Sequence, residues 1–319
     1  MVTTFLIALS AGAASALMFA SLLSGSLIAI PLFYFSPLPL MVAGLGWGPV
    51  AASIGGIMAA TGLGLLFGMS FLAVFVVTVA LPAWWLGHLA LLGRAGVAAP
   101  AADGSVSVSP AIEWYPVGRL LLWVAGFAAL TTMGALLTLG QDSAAIQDVL
   151  RPMLVRIMQA SEVPATDRNV AATLAMAPAA AALVAIMTLT LNLWVAGRIT
   201  ATSGRLQRSW PDLNTTAMPP MTLLALCVAI ALTFQDGLIG IFAMIVSATL
   251  IMAFALTGFA TLHMLTRNLK NRALWLGSTY ALMTFLVWPI AALVVLGLAD
   301  AFFGFRDRFA QRQPPSPAV

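Results

Sequence analysis

The chain has 319 residues, 61% of them hydrophobic and 8% charged, with a net charge of +4 at neutral pH and a mean hydropathy of +1.03. Soluble domains carry about 25% charged residues, so this inventory excludes a water-facing globular surface. Apolar stretches of roughly 20 residues recur along the chain, which excludes the short alternating segments of a β-barrel and predicts an all-α fold, a polytopic transmembrane helix bundle of about 8 spans.

The opening "MVTTFLIALSAGAASALMFA" has no basic residue ahead of its apolar run, so it reads as a retained first span over 3–22 rather than a signal peptide. Within it Ala8, Gly12, Ala16, Ala20 and Ser24 recur every four residues and form one smooth face. Such faces let helix backbones approach closely; the partner is another span of this chain or another protein. The first 92 residues hold further crossings or half-crossings at 25–47, 49–67 and 69–92. The second is broken: "SPLPLMVAGLGWGPVAASIGG", residues 36–56, has three prolines, five glycines and no charge. A bilayer tolerates broken helix only where protein or a cavity satisfies the freed backbone groups. The stretch is therefore predicted to be a buried interruption, either a pocket wall or a packing knot. Tyr34, Trp47 and the backbone near Gly46–Pro49 are the candidate ligand-lining groups.

Residues 93–117 read as a Pro/Gly/Ser-rich loop, followed by a span at 118–140. Over 141–169 the residues Ile146, Val149, Leu150, Met153, Leu154, Ile157 and Met158 recur at helical spacing, with Asp142 or Ser143 placed to cap. This is an amphipathic helix, lying in the outer interface or closing over an outward pocket. Spans follow at 170–196, 220–235, 238–265 and 275–299, and a membrane domain over 1–304 gives way to a disordered tail at 305–319. Asn192 is the clearest polar residue inside a span, an interhelical hydrogen-bonder or a ligand contact. Cys227 falls in an apolar run and is predicted to be buried, inert filling. Arg94, Arg119, Arg198, Arg205, Arg208, Arg267, Lys270 and Arg272 fall in loops on one side, which is assigned to the cytoplasm. A single span at 275–299 leaves Arg306, Arg308 and Arg312 on the opposite side; a re-entrant hairpin at Pro289 is the alternative.

The catalytic inventory is thin. His88 and His263 have no metal-ligand spacing around them, and there is no phosphate-binding loop, dinucleotide fingerprint or nucleophile elbow. No enzyme, metal or cofactor is read, and the basic balance reflects topology rather than nucleic-acid binding.

Several stretches in order, "EWYPVGRL", "NLWVAGRI", "WPDLNTTAMPP", "GFATLHMLTR" and the terminal "GLADAFFGFRDR", resemble the YybS-like family of predicted bacterial membrane proteins. The resemblance implies a multi-pass location in the bacterial inner membrane and no established activity. Residues 36–56 are also distantly similar to the broken second span of substrate-binding subunits of energy-coupling-factor vitamin transporters. That likeness implies a small-molecule site at Tyr34 and Trp47, and a first-span face at Ala16 and Ala20 that docks a membrane coupling subunit. The leading expectation is a small-molecule-binding transporter subunit. A non-catalytic envelope scaffold that recruits partners is the alternative, and a carrier acting alone is disfavoured because ionisable residues are missing from the predicted span interiors.

Overall fold

Prolines and glycines set most helix boundaries in this protein. The computed structural model describes residues 2–96, 112–267, 269–286, 288–305 and 308. It divides into a first unit, Met1–Leu120 with Met187–Pro211, and a second, Leu121–Ile186 with Asp212–Val319. The elements are α1 (Val2–Ala20), α2 (Ala29–Tyr34), α3 (Leu38–Trp47), α4 (Pro49–Phe67), α5 (Met69–Phe75), α6 (Leu81–Ala90), β1 (Gly93–Ala95), β2 (Ile112–Trp114), α7 (Val117–Leu137), α8 (Ser143–Ala160), α9 (Asp167–Thr202), α10 (Met221–Leu232), α11 (Gly237–Leu265), α12 (Arg272–Phe285) and α13 (Trp288–Phe303). Seven segments are long and apolar enough to cross a membrane, with α10 and α13 as shorter apolar helices, among the described residues. The fold is all-α, and the chain is a multi-pass membrane protein.

In the first unit, α1 lies against α3 and α4 so closely that a Cβ at Gly12 would strike the carbonyl of Gly55. Ala8, Ala43 and Ala51 complete this contact, with Trp47 and Ile54 packed beside them. Of the two partners open to the small-residue face of α1, a helix of the same chain takes Ala8 and Gly12; Ala16 and Ala20 are half-buried and Ser24 is exposed. At the far end of α1, Phe19 meets Phe33 at 5.5 Å and Phe75 at 5.3 Å between ring centroids. Between α5 and α6 the helix widens into a π segment over Val76–Ala80. Pro82 lacks the N–H that would bond the carbonyl of Thr78, which accounts for the local widening.

Single glycines make the turns on either side of α4. Gly48 (φ 95°, ψ 164°) and Gly68 (φ 95°, ψ 169°) share one backbone conformation, which only glycine adopts without strain. Nothing lies within 4 Å of a Cβ added at either residue. Gly48→Ala and Gly68→Ala are therefore each expected to cost about 1–3 kcal/mol from backbone strain alone. Gly62→Ala, equally unobstructed but in ordinary helix, is expected to stabilise by about 0.5–1 kcal/mol. Thermal unfolding of the purified variants in one detergent measures all three.

In the second unit α8 starts where Asp142 accepts a 2.8 Å hydrogen bond from the Ala145 N–H, so Asp142 rather than Ser143 is the cap. Ile146 of α8 joins Ala129, Leu136, Ala182 and Ile245 in a core. Val149, Met153 and Ile157 are left exposed as a stripe at four-residue spacing. Helices α11 and α13 meet backbone to backbone: a Cβ at Gly258 would strike the Leu293 carbonyl, and one at Gly297 the Phe254 carbonyl.

Three expectations need correction. Residues 93–117 are not loop throughout, because Gly93–Ala95 and Ile112–Trp114 pair antiparallel; residues 97–111 lie outside the described set. The span expected at 275–299 is two helices, α12 and α13, separated where Leu286 turns extended ahead of Pro289. Cys227 lies on the outward, apolar face of α10, because that helix buries the row Thr222, Leu226 and Ala229 and turns residue 227 away. Asp300, placed outside the last span by the sequence reading, lies within α13 and is 5% exposed. The expected tail, 305–319, lies outside the described residues apart from 305 and 308.

Candidate functional site

Two places in the first unit hold polar groups against apolar helix, and both lie along α3. The first is the break between α2 and α3. The Leu38 N–H, the usual helical donor to the Tyr34 carbonyl, turns to the Phe35 carbonyl at 3.0 Å, and Pro37 and Pro39 have no N–H to stand in, so among the described residues the carbonyls of Tyr34 and Ser36 take no backbone donor. Two side chains replace them. The Ser15 hydroxyl donates to the Ser36 carbonyl, and the Asn192 Nδ2 donates to the Tyr34 carbonyl at 2.8 Å. Ser15, Ser36 and Asn192 are all at or below 1% exposure. The freed backbone groups are thus satisfied inside the protein, as a membrane requires.

Asn192 does more than patch the break. Its second Nδ2 proton goes to the Thr188 carbonyl at 2.8 Å. Both acceptors are carbonyl oxygens, so the amide orientation is fixed: nitrogen toward them, oxygen away. The Asn192 Oδ1 that results is enclosed and has no hydrogen-bond partner among the described residues. A buried unpaired acceptor costs about 1–3 kcal/mol, and such groups in folded proteins are met by water or by a ligand donor. Tyr34, whose backbone carbonyl takes the first of these bonds, is 39% exposed, and its ring lies against Phe33.

The second place is the other end of α3. Trp47 ends that helix, and the Arg205 guanidinium lies 5.5 Å from the centre of its ring, within cation–π range. The end of α9 and the chain beyond it pass beside Gly46, where an added Cβ would be in ordinary contact with Thr200 at 3.4 Å and Arg205 at 3.5 Å. Helix α6 ends alongside, because Gly87 and Gly44 bring the two backbones together. There Arg208 donates to the Ala90 carbonyl at 3.2 Å, capping the carbonyl end of α6. Burial lowers the Arg208 pKa from arginine's ordinary value. On α9 itself, the Arg198 guanidinium lies 5.0 Å from the centre of the Trp210 ring.

Of the residues singled out from sequence, the structure brings Tyr34 and Asn192 together. Trp47 lies 13 residues farther along, roughly 20 Å at helical rise, beside Arg205 instead. Ala8 and Gly12 are occupied by α4. Sequence reading missed Ser15, whose only signal was a hydroxyl inside an otherwise small and apolar face. It also missed Asp300, which sits one turn beyond the Gly297 contact and makes an interaction of its own. The histidines lie among aromatic rings: His88 stacks on Trp84, and the His263 Nε2 shares a 2.7 Å hydrogen bond with the Tyr280 hydroxyl. No group of three His, Cys, Asp or Glu that could hold a metal ion occurs among the described residues. Comparison of the chain with protein-family models, with curated proteins and with solved structures returns no match.

Proposed function

We propose that this protein binds a small molecule within the membrane at the break between α2 and α3, as a non-catalytic component of a transport system. The observation that carries this reading is the enclosed, unpartnered Asn192 Oδ1 at an interrupted helix. Broken helices and costly polar groups inside spans are the materials of membrane binding sites. The ligand class is one with an N–H or O–H donor to give to that oxygen and a face to lay against the Tyr34 ring. Membership of the YybS-like family and a bacterial inner-membrane location belong to the same proposal.

Tyr34→Ala is the test, because the hydrogen bond to Asn192 uses the Tyr34 backbone carbonyl and survives the substitution. The variant is expected to keep the melting temperature of the ligand-free protein while losing about tenfold in affinity, roughly 1.4 kcal/mol, for any compound that stabilises the wild type. A screen of donor-bearing small molecules in which none shifts the wild-type melting temperature counts against the reading.

A second reading is favoured by the part of the α1 face that α4 does not cover. Ala16 and Ala20 are half-buried beside the 74% exposed Leu17, a surface on which a coupling subunit or other envelope protein would pack closely. On this reading Ala16→Leu strips a co-purifying membrane protein and leaves ligand binding intact.

A further inference from the structure

We propose that the basic end of the first unit, where α3, α6 and α9 finish, binds the phosphate of an acidic lipid headgroup, with Arg205 and Arg208 as its principal ligands and Arg198 beside them. This site is separate from the break at Asn192 and does not depend on what binds there.

Among the described residues, ion pairs join Arg94 to Glu113 and Arg151 to Asp167; none reaches Arg198, Arg205 or Arg208. A guanidinium carries five N–H donors. Across these three groups the one hydrogen bond formed among the described residues is from Arg208 to the Ala90 carbonyl. The Arg208 Nε is enclosed without a partner. A helix-end carbonyl neutralises only a fraction of a unit charge, so capping α6 leaves most of the Arg208 charge unmatched. Burial that disfavours the cation is offset when an anion arrives.

Position decides what the anion is. The Gly44–Gly87 contact sets the ends of α3 and α6 side by side, so Arg205 at Trp47 and Arg208 at Ala90 stand at one level. That level is the limit of two apolar spans, Ala29–Trp47 and Met69–Ala90, and tryptophan rings mark it, as they do at bilayer interfaces. Lipid phosphates occupy this depth on every side of a membrane protein. Guanidinium forks match phosphate geometry with paired hydrogen bonds, and basic pockets between helix ends on the cytoplasmic face suit anionic headgroups. Arg205 and Arg198 are already laid on aromatic rings, so part of their ordering cost is met before the headgroup binds.

The test is native mass spectrometry and thermal unfolding of the full chain in nanodiscs and in detergent. The lipids compared are phosphatidylglycerol and phosphatidylcholine; inorganic phosphate is a third arm. The wild type is expected to retain phosphatidylglycerol selectively. Arg205→Gln with Arg208→Gln is expected to reduce that retention roughly thirtyfold, from the surface-potential contribution of two basic residues. Arg94→Gln, which removes one charge as Arg205→Gln alone does but from a residue paired with Glu113 in the β1–β2 ribbon, is expected to retain lipid as the wild type does. Stabilisation by inorganic phosphate with no preference among lipids would support a phosphate site and overturn the headgroup as its source. Equal retention of both lipids with no response to phosphate, or undiminished selectivity in the double variant, overturns the site itself. If Arg208→Gln does not fold, the exposed Arg205→Gln decides alone, with about a fivefold loss expected.

Discussion

Gly297→Leu is expected to be among the most destabilising single substitutions in the second unit, costing about 3 kcal/mol or more. A Cβ at this residue would overlap the Phe254 carbonyl and approach the Gly258 backbone nitrogen at 3.0 Å. Neither obstacle is a side chain with another rotamer available. Helices α11 and α13 would have to separate, and the contacts of Phe254 and Leu293, both 5% exposed or less, would be lost with them. In lipid, packing of this kind is what holds helices together, because burial of apolar surface provides no drive between them. Gly258→Leu is expected to match it, since its Cβ meets the Leu293 carbonyl. Gly277→Leu in α12, where nothing lies within 4 Å of the added Cβ, is the control and is expected to be close to neutral. Unfolding midpoints in a mild detergent, compared across the three, measure the difference. A Gly297→Leu protein as stable as the Gly277→Leu control would refute the backbone contact.

Asn192→Leu is expected to cost about 1–3 kcal/mol and to loosen the α2–α3 break in particular. The substitution keeps the volume near that of the amide but removes both donors, leaving the Tyr34 carbonyl unpaired at a position 1% exposed or less on the Asn192 side. Interhelical hydrogen bonds in membranes average only about 0.6 kcal/mol, and the larger figure follows from the proline pattern. Pro37 and Pro39 remove the N–H groups that would compensate locally, so the carbonyl has no second choice. Hydrogen exchange over residues 32–41 is the sensitive readout: faster exchange confined to that segment is expected. Ser15→Ala acts on the neighbouring Ser36 carbonyl and is expected to do the same more weakly, by about 1 kcal/mol. Wild-type exchange in Asn192→Leu would show that the break is held by packing alone.

These two cases also mark how far the residues could be read unaided. The break was legible, because prolines and glycines act on their own backbone: Pro37, Pro39 and Gly48 interrupt the helix by local geometry, and residues 38–49 are indeed buried or half-buried. The groups that satisfy the break were not legible together. Ser15 and Asn192 come from helices 177 residues apart, and nothing in either stretch names the other. The amphipathic α8 was legible from its period, with the cap narrowed to Asp142 or Ser143, of which the structure uses Asp142, while the face that the second unit covers depended on tertiary neighbours. Near the C-terminus, the hydropathy of 275–299 could not distinguish one span from two shorter helices, and so Asp300 was assigned to the wrong side of a boundary. At the basic end, the arginines were read as a topology signal, and only the fold set Arg205 against Trp47 and Arg208 against Ala90.

Native mass spectrometry of the 319-residue chain released gently from its membrane decides whether the first unit holds a small molecule at the break beside Asn192. The wild type is expected to carry a small-molecule adduct that dissociates on mild activation and is lost in Tyr34→Ala while the protein remains folded. A bare wild-type mass under conditions that preserve bound lipid, or an adduct held equally by Tyr34→Ala, would contradict it.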